Sequence, residues 1–186
     1  VFKFAGGVIS ALMIHEGAHF AAGQITGTSL DWRVGSFSQP IEYEENAEDD
    51  SDGLIVSSSG LIAQLAGSEV ILNVDRIDKN DAFVRGMMAW NIINPIMYAL
   101  DYWFIRNTND MNGDSYQGDL QGIEYYSSER TANIFAGGMV ALATFQGYRF
   151  LKTQTWAPEW IRGNTQNLQF AGTPDGGFFL GLKIDF

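Results

Sequence analysis

The sequence of 186 residues has no cysteine, only 4 prolines and 2 histidines, and just 18% charged side chains. Without thiols it can be neither a disulfide scaffold nor a thiolate-ligated zinc finger, a thiol enzyme or an iron–sulfur protein. Cations are scarce as well: 11 Lys and Arg stand against 22 Asp and Glu, a formal charge of −11. Neutralising phosphates takes a basic surface, so a nucleic-acid partner is excluded. Val1 opens almost directly onto an apolar segment with no Arg-rich or cleavable leader. The expectation is that a leader has been removed or that this segment itself directs insertion.

In place of charge the chain has 21 glycines and 13% aromatic residues, with a mean hydropathy of −0.06 that lies between a soluble domain and an ordinary membrane protein. Its apolar residues gather in four segments, Phe4–Gly23, Leu54–Leu72, Val84–Ile105 and Thr131–Phe150, each about the length of a bilayer-spanning helix. Gly6, Gly7, Ala11, Gly60, Ala63, Ala66 and Gly67 suit close helix contacts of the kind found in membranes. Trp90, Tyr98, Tyr102 and Trp103 are spaced like interfacial anchors, and Pro95 is expected to kink or interrupt the third segment. Arg149 and Lys152 suit a helix C-terminus.

Between the first two segments, residues 29–43 alternate apolar with polar and read as a strand pair. The acidic run of residues 44–52 that follows reads as a solvated loop. Asn107–Asp119 has the composition of a calcium loop, but Thr108 stands where an EF-hand needs its first carboxylate, so it reads as a polar turn. The tail alternates Phe178, Leu180, Leu182, Ile184 and Phe186 on one face after a turn at Pro174-Asp-Gly-Gly, a hairpin pattern. The expected fold is mainly α. It is a single domain, 1–186, with about four core helices embedded in a membrane and small β-hairpins after helix 1 and at the C-terminus.

Both histidines fall in one motif, His15-Glu-Gly-Ala-His19, on the first apolar helix. Four residues is slightly more than one helical turn. The two imidazoles therefore project from one face and can converge on one Zn²⁺, with Glu16 beside them to handle a proton. A catalytic zinc takes a third protein ligand, and with histidine used up it must be a carboxylate. Asp101 is the leading candidate, as the only acid inside the third apolar segment, where an unpaired carboxylate is costly. Asp110 and Asp114 are rivals, and Glu69 is a weaker one. Asn94, like Asn91 near it, is a candidate donor to a developing oxyanion.

The series His15-Glu-Gly-Ala-His, Ser59-Gly-Leu-Ile-Ala-Gln and Asn94-Pro-Ile-Met-Tyr-Ala-Leu-Asp resembles, in order, three motifs of the site-2-protease-like intramembrane zinc metallopeptidases. The resemblance covers about residues 5–105, leaving residues 106–186 as a polar loop, a fourth helix and the terminal hairpin. Leu61, Gln64 and Tyr102 stand where the family favours Pro, Asn and Gly. The resemblance implies a metalloprotease with His15, His19 and Asp101 as zinc ligands, Glu16 as general base, and a hairpin that helps present an extended peptide or protein substrate. It also implies a hydrolase of the bacterial cell envelope, in the inner or the outer membrane. The other reading is a non-catalytic membrane subunit or assembly protein on the same scaffold, binding protein partners in a membrane complex.

Overall fold

The computed structural model describes residues 1–32, 41–43, 47–105, 118–163, 168–172 and 178–182. The fold is mainly helical. Helix α1 spans Phe2–Thr26, strands β1 and β2 span Leu30–Trp32 and Ile41–Tyr43, and α2 spans Asp50–Asn73. Helix α3 runs from Ala82 to Leu100 and continues as a π-helical turn over Asp101–Ile105. Short α4 (Asp119–Tyr125), long α5 (Glu129–Thr153), short α6 (Glu159–Arg162) and strands β3 (Leu168–Gly172) and β4 (Phe178–Leu182) complete the order.

Local chemistry sets the helix ends. Gly27 closes α1 in the left-handed region at φ 78°, where only glycine is unstrained. Asp50 and Asp52 place negative charge in the first turn of α2, at the positive end of its dipole. The Asp81 carboxylate caps α3 by accepting from the Phe83 amide at 2.8 Å, and the Ser128 hydroxyl accepts from Thr131 N at 3.2 Å to start α5. Pro95 lies inside α3 without ending it.

Strand β1 pairs antiparallel with β2, and β3 with β4. These are two short, separate ladders. The residues that would join each pair, including the expected turn at Pro174-Asp-Gly-Gly, lie outside the described residues, so neither expected hairpin is described as a continuous element.

The four long helices pack in alternating directions. A Cβ on Gly7 would meet the backbone of Phe83 and Met87, and one on Gly86 would meet the Phe4 carbonyl, so α1 and α3 run parallel at backbone contact. Helix α2 runs against both: Gly60 lies on His15 and His19, and Gly67 faces Asn91. Helix α5 lies along α2, with Gln146 Nε2 donating to Leu65 O at 3.0 Å, and against α3, with Gly147 on Ile92. The fourth helix thus belongs to the same bundle as the first three. Leu61, Ala99, Tyr102, Leu120, Ile123, Ala132, Ala136 and Met139 form the larger apolar core, and Ile71, Met88 and Phe150 a smaller one.

The distribution of side chains between inside and outside is unusual. Ser57, Gln64, Ser68, Asn91, Asn94 and Gln146 are buried, while Ile9, Met13, Ile55, Ile62, Ile93 and Met97 face outward. Among the described residues α2 is the one helix long and apolar enough to cross a membrane by length and composition.

Gly86→Ala is expected to cost about 1–3 kcal/mol, because the Phe4 carbonyl cannot yield to a methyl group without parting α1 from α3. Gly137→Ala, with nothing within 4 Å, is expected to be neutral or to stabilise by about 0.5–1 kcal/mol. Parallel thermal denaturation of the two purified variants checks both.

Candidate metal centre

His15 and His19 lie one turn apart on the buried face of α1, with 1% and 6% of their surface exposed. Both can approach α2 because Gly60 has no side chain; a Cβ there would come within 2.7 Å of His15 Nε2 and would also meet His19 Nε2.

The far nitrogen of each ring is tied down. His19 Nδ1 lies 2.7 Å from the Val56 carbonyl oxygen, which can only accept, so Nδ1 carries the proton. His15 Nδ1 donates in the same way to Gln64 Oε1 at 3.0 Å, and the same oxygen accepts from Asn94 Nδ2 at 3.0 Å. In the neutral rings both Nε2 atoms then present bare lone pairs. Such bonds fix tautomer and orientation in metal-binding histidines.

The two Nε2 atoms face each other at 3.3 Å. Asp119, the first residue of α4, closes the triangle: its Oδ2 lies 3.2 Å from His15 Nε2 and its Oδ1 3.4 Å from His19 Nε2. Asp119 Oδ2 is buried, and His15 Nε2 beside it donates only when that ring carries a second proton. Burial opposes ionisation of Asp119, but His19 and His15 hold its carboxyl well below the usual carboxylate range. The ligand-capable atoms of these three residues all lie within 4.8 Å of one another. Three acceptors in a buried space with no proton between them are stable only if a cation enters or the imidazoles are protonated.

The structure brings together His15 and His19 with Glu16 beside them, buried on the same helix. It does not bring Asp101 into the group. Asp101 stands at the end of α3, where the π-helical turn begins, while the ligand position beside the histidines is taken by Asp119 of α4. Asp110 and Asp114 lie outside the described residues. Glu69 is engaged elsewhere, with Arg149 Nη1 at 2.8 and 2.9 Å and Gln146 Nε2 at 3.0 Å, near the far end of α2. Asn94 reaches the histidines through Gln64, which makes it a positioning residue here. Compared with protein-family models, with curated proteins and with solved structures, the chain matches none.

Asp119 and Gln64 are the residues that sequence reasoning missed. Asp119 closes the polar stretch 107–119 as the first residue of a helix of 7 residues, too short to show a hydrophobic period. Its one signal was an acidic residue after Gly118 at a helix start.

Gln64→Leu strands His15 Nδ1 and Asn94 Nδ2 in a buried space, a loss of about 1–3 kcal/mol for each group left unpaired. Chemical denaturation of this variant beside Ile62→Leu, an outward-facing neighbour, checks it: the first variant is expected to lose stability and the second to behave as wild type.

Proposed function

We propose that the protein is a zinc-dependent metallopeptidase of the HExxH type that hydrolyses peptide bonds at or within a membrane, with His15, His19 and Asp119 as the zinc ligands. The observation that carries this reading is the triangle itself. The His15 Nε2–His19 Nε2 spacing of 3.3 Å and the His15 Nε2–Asp119 Oδ2 spacing of 3.2 Å are near the ligand–ligand edge of about 3.3 Å for tetrahedral zinc with bonds of about 2.0–2.1 Å, while the 3.4 Å contact to His19 Nε2 is made by the other Asp119 oxygen, Oδ1. Two neutral imidazoles and one carboxylate are the donor set of many catalytic zinc sites, which leave a fourth position open. The undonated Asp119 Oδ2 and the two Nε2 lone pairs are the orphaned atoms a cation would satisfy.

Zinc held there supplies a Lewis acid that polarises a carbonyl and makes water acidic near neutral pH. The remaining work falls to the protein's own groups. Glu16 accepts the proton of the attacking water and returns it to the leaving amine, a role that needs a carboxylate beside the metal but not on it. Gln64, held by Asn94, and the Val56 carbonyl keep both rings turned so that Nε2 faces inward. An extended peptide can add along the β1–β2 ladder, where backbone hydrogen bonds give affinity with little sequence selectivity.

The membrane part of the reading is supported by the reversed side-chain distribution, with amides and hydroxyls inside and Ile, Met and Val outside. Polar groups inside a membrane bundle are expected to face one another and a functional site, as His15, Gln64 and Asn94 do.

Metal analysis of the purified protein is expected to find one zinc per chain, retained in Asp101→Ala, lost in Asp119→Ala, and retained but inert in Glu16→Gln when cleavage of an unfolded substrate is assayed in detergent. Removing Glu16 as the base is expected to reduce cleavage by about 10²–10⁴-fold. A folded wild type that binds no zinc would contradict the reading and favour a non-catalytic subunit on the same scaffold.

A further inference from the structure

The alternating packing gathers the described cations at one end. The start of α1, the end of α2, the start of α3 and the end of α5 meet at one end of the bundle. There Lys3 bonds Asp81 at 3.3 Å, Arg149 bonds Glu69 and Asn73, and Asn80 bonds Thr153 O at 3.1 Å. Lys3, Arg85, Arg149 and Lys152 lie in these segments, Arg76 and Lys79 in the α2–α3 connection and Arg162 in α6 after α5, together seven of the eight cations among the described residues, with Glu69, Asp75, Asp78, Asp81 and Glu159 interspersed. The eighth, Arg130, lies at the opposite end, which carries Glu48, Asp49, Asp50, Asp52, Glu124 and Glu129.

Between the two ends the helices are free of charge at their surfaces. Gly53–Ser68 of α2, Gly86–Leu100 of α3 and Thr131–Tyr148 of α5 contain no Asp, Glu, Lys or Arg. At 1.5 Å per residue these stretches are about 22–27 Å long, close to a hydrocarbon core of about 30 Å. In α1 the sole charged residue between Lys3 and Thr26 is the buried Glu16. Outward-facing aromatics mark both ends: Trp156 and Trp160 at the basic one, Trp103 and Tyr125 at the acidic one. Such belts fit the two bilayer interfaces. Asn91, Asn94 and Gln146 turn inward, away from the outer surface of the bundle.

From this we infer that a lipid bilayer covers the bundle, with α1, α2, α3 and α5 crossing it and the basic end facing the cytoplasm. Short flanking segments rich in Lys and Arg stay on the cytoplasmic side. The histidines lie nearer the acidic end. His19 is about two turns from Thr26 at the end of α1, and Asp119 enters from α4 at that end. The His15–His19–Asp119 group therefore lies nearer the non-cytoplasmic side. This inference rests on the membrane part of the proposed function and not on its zinc.

The chain has no cysteine, so single cysteines report topology without background. Ser51→Cys at the acidic end, Asp75→Cys at the basic end and Ile62→Cys on the outward middle of α2 are all exposed positions. The full chain carrying each is expressed in a bacterial inner membrane and treated with a membrane-impermeant maleimide, before and after permeabilisation. The expected result is labelling of Ser51→Cys in intact cells, of Asp75→Cys only after permeabilisation, and of Ile62→Cys only after denaturation in detergent. The reverse order at the two ends would overturn the orientation, and labelling of Ile62→Cys in the folded protein would overturn the bilayer. Neither result depends on metal content, so failure here is separable from failure of the zinc assay.

Discussion

Two imidazoles and a carboxylate that each turn a lone pair toward the others repel one another in a buried space unless positive charge lies among them. The packing around His15, His19 and Asp119 is organised by that constraint. Val56 O and Gln64 Oε1 take the Nδ1 protons and so turn each Nε2 toward Asp119, free either to bind a metal or to take up a second proton. Glu69, by contrast, is ringed by the fixed donors of Arg149, Gln146 and Asn73. A cation held there, or a second proton on the imidazoles, would offset the cost of burying Asp119 Oδ2.

The rest of the bundle follows from bringing those atoms together. Gly60 removes the side chain that would push α2 off the histidines, and Gly7 and Gly86 let α1 and α3 touch at backbone level. Asn94 on α3 and Gln64 on α2 then reach His15 in one hydrogen-bonded chain, so three helices share the positioning of a single ring. With small and polar residues taking many of the inner positions, Ile9, Met13, Ile55, Ile62, Ile93 and Met97 are left to the outside. In water that arrangement forfeits much of the hydrophobic driving force for folding, whereas in lipid it does not.

The histidine pair and its helix were legible because the signal is local: two residues four apart fix their own relative geometry. The four long helices were legible for a similar reason, since runs of apolar residues free of charge need no knowledge of neighbours. Asp119 was not legible, because a third ligand is set by tertiary approach and arrives on a helix of 7 residues after a polar stretch. Asp101 was favoured on the cost of a lone carboxylate in an apolar segment, but it stands where α3 unwinds into a π-helical turn. Gln64 was noted as a departure from a familiar motif and turned out to hold the His15 ring. The gathering of cations was hidden for the same reason: the eight cations among the described residues show no bias along the sequence until alternating helices bring their ends together.

The most direct test of the central claim is X-ray absorption at the zinc edge on zinc-loaded Asp119→Cys and Asp101→Cys variants. In a chain without native sulfur ligands of the thiolate type, the account predicts a new scatterer at about 2.3 Å in Asp119→Cys alone, beside two imidazoles. A sulfur contribution in Asp101→Cys but not in Asp119→Cys would contradict it, as would zinc that has no imidazole ligands.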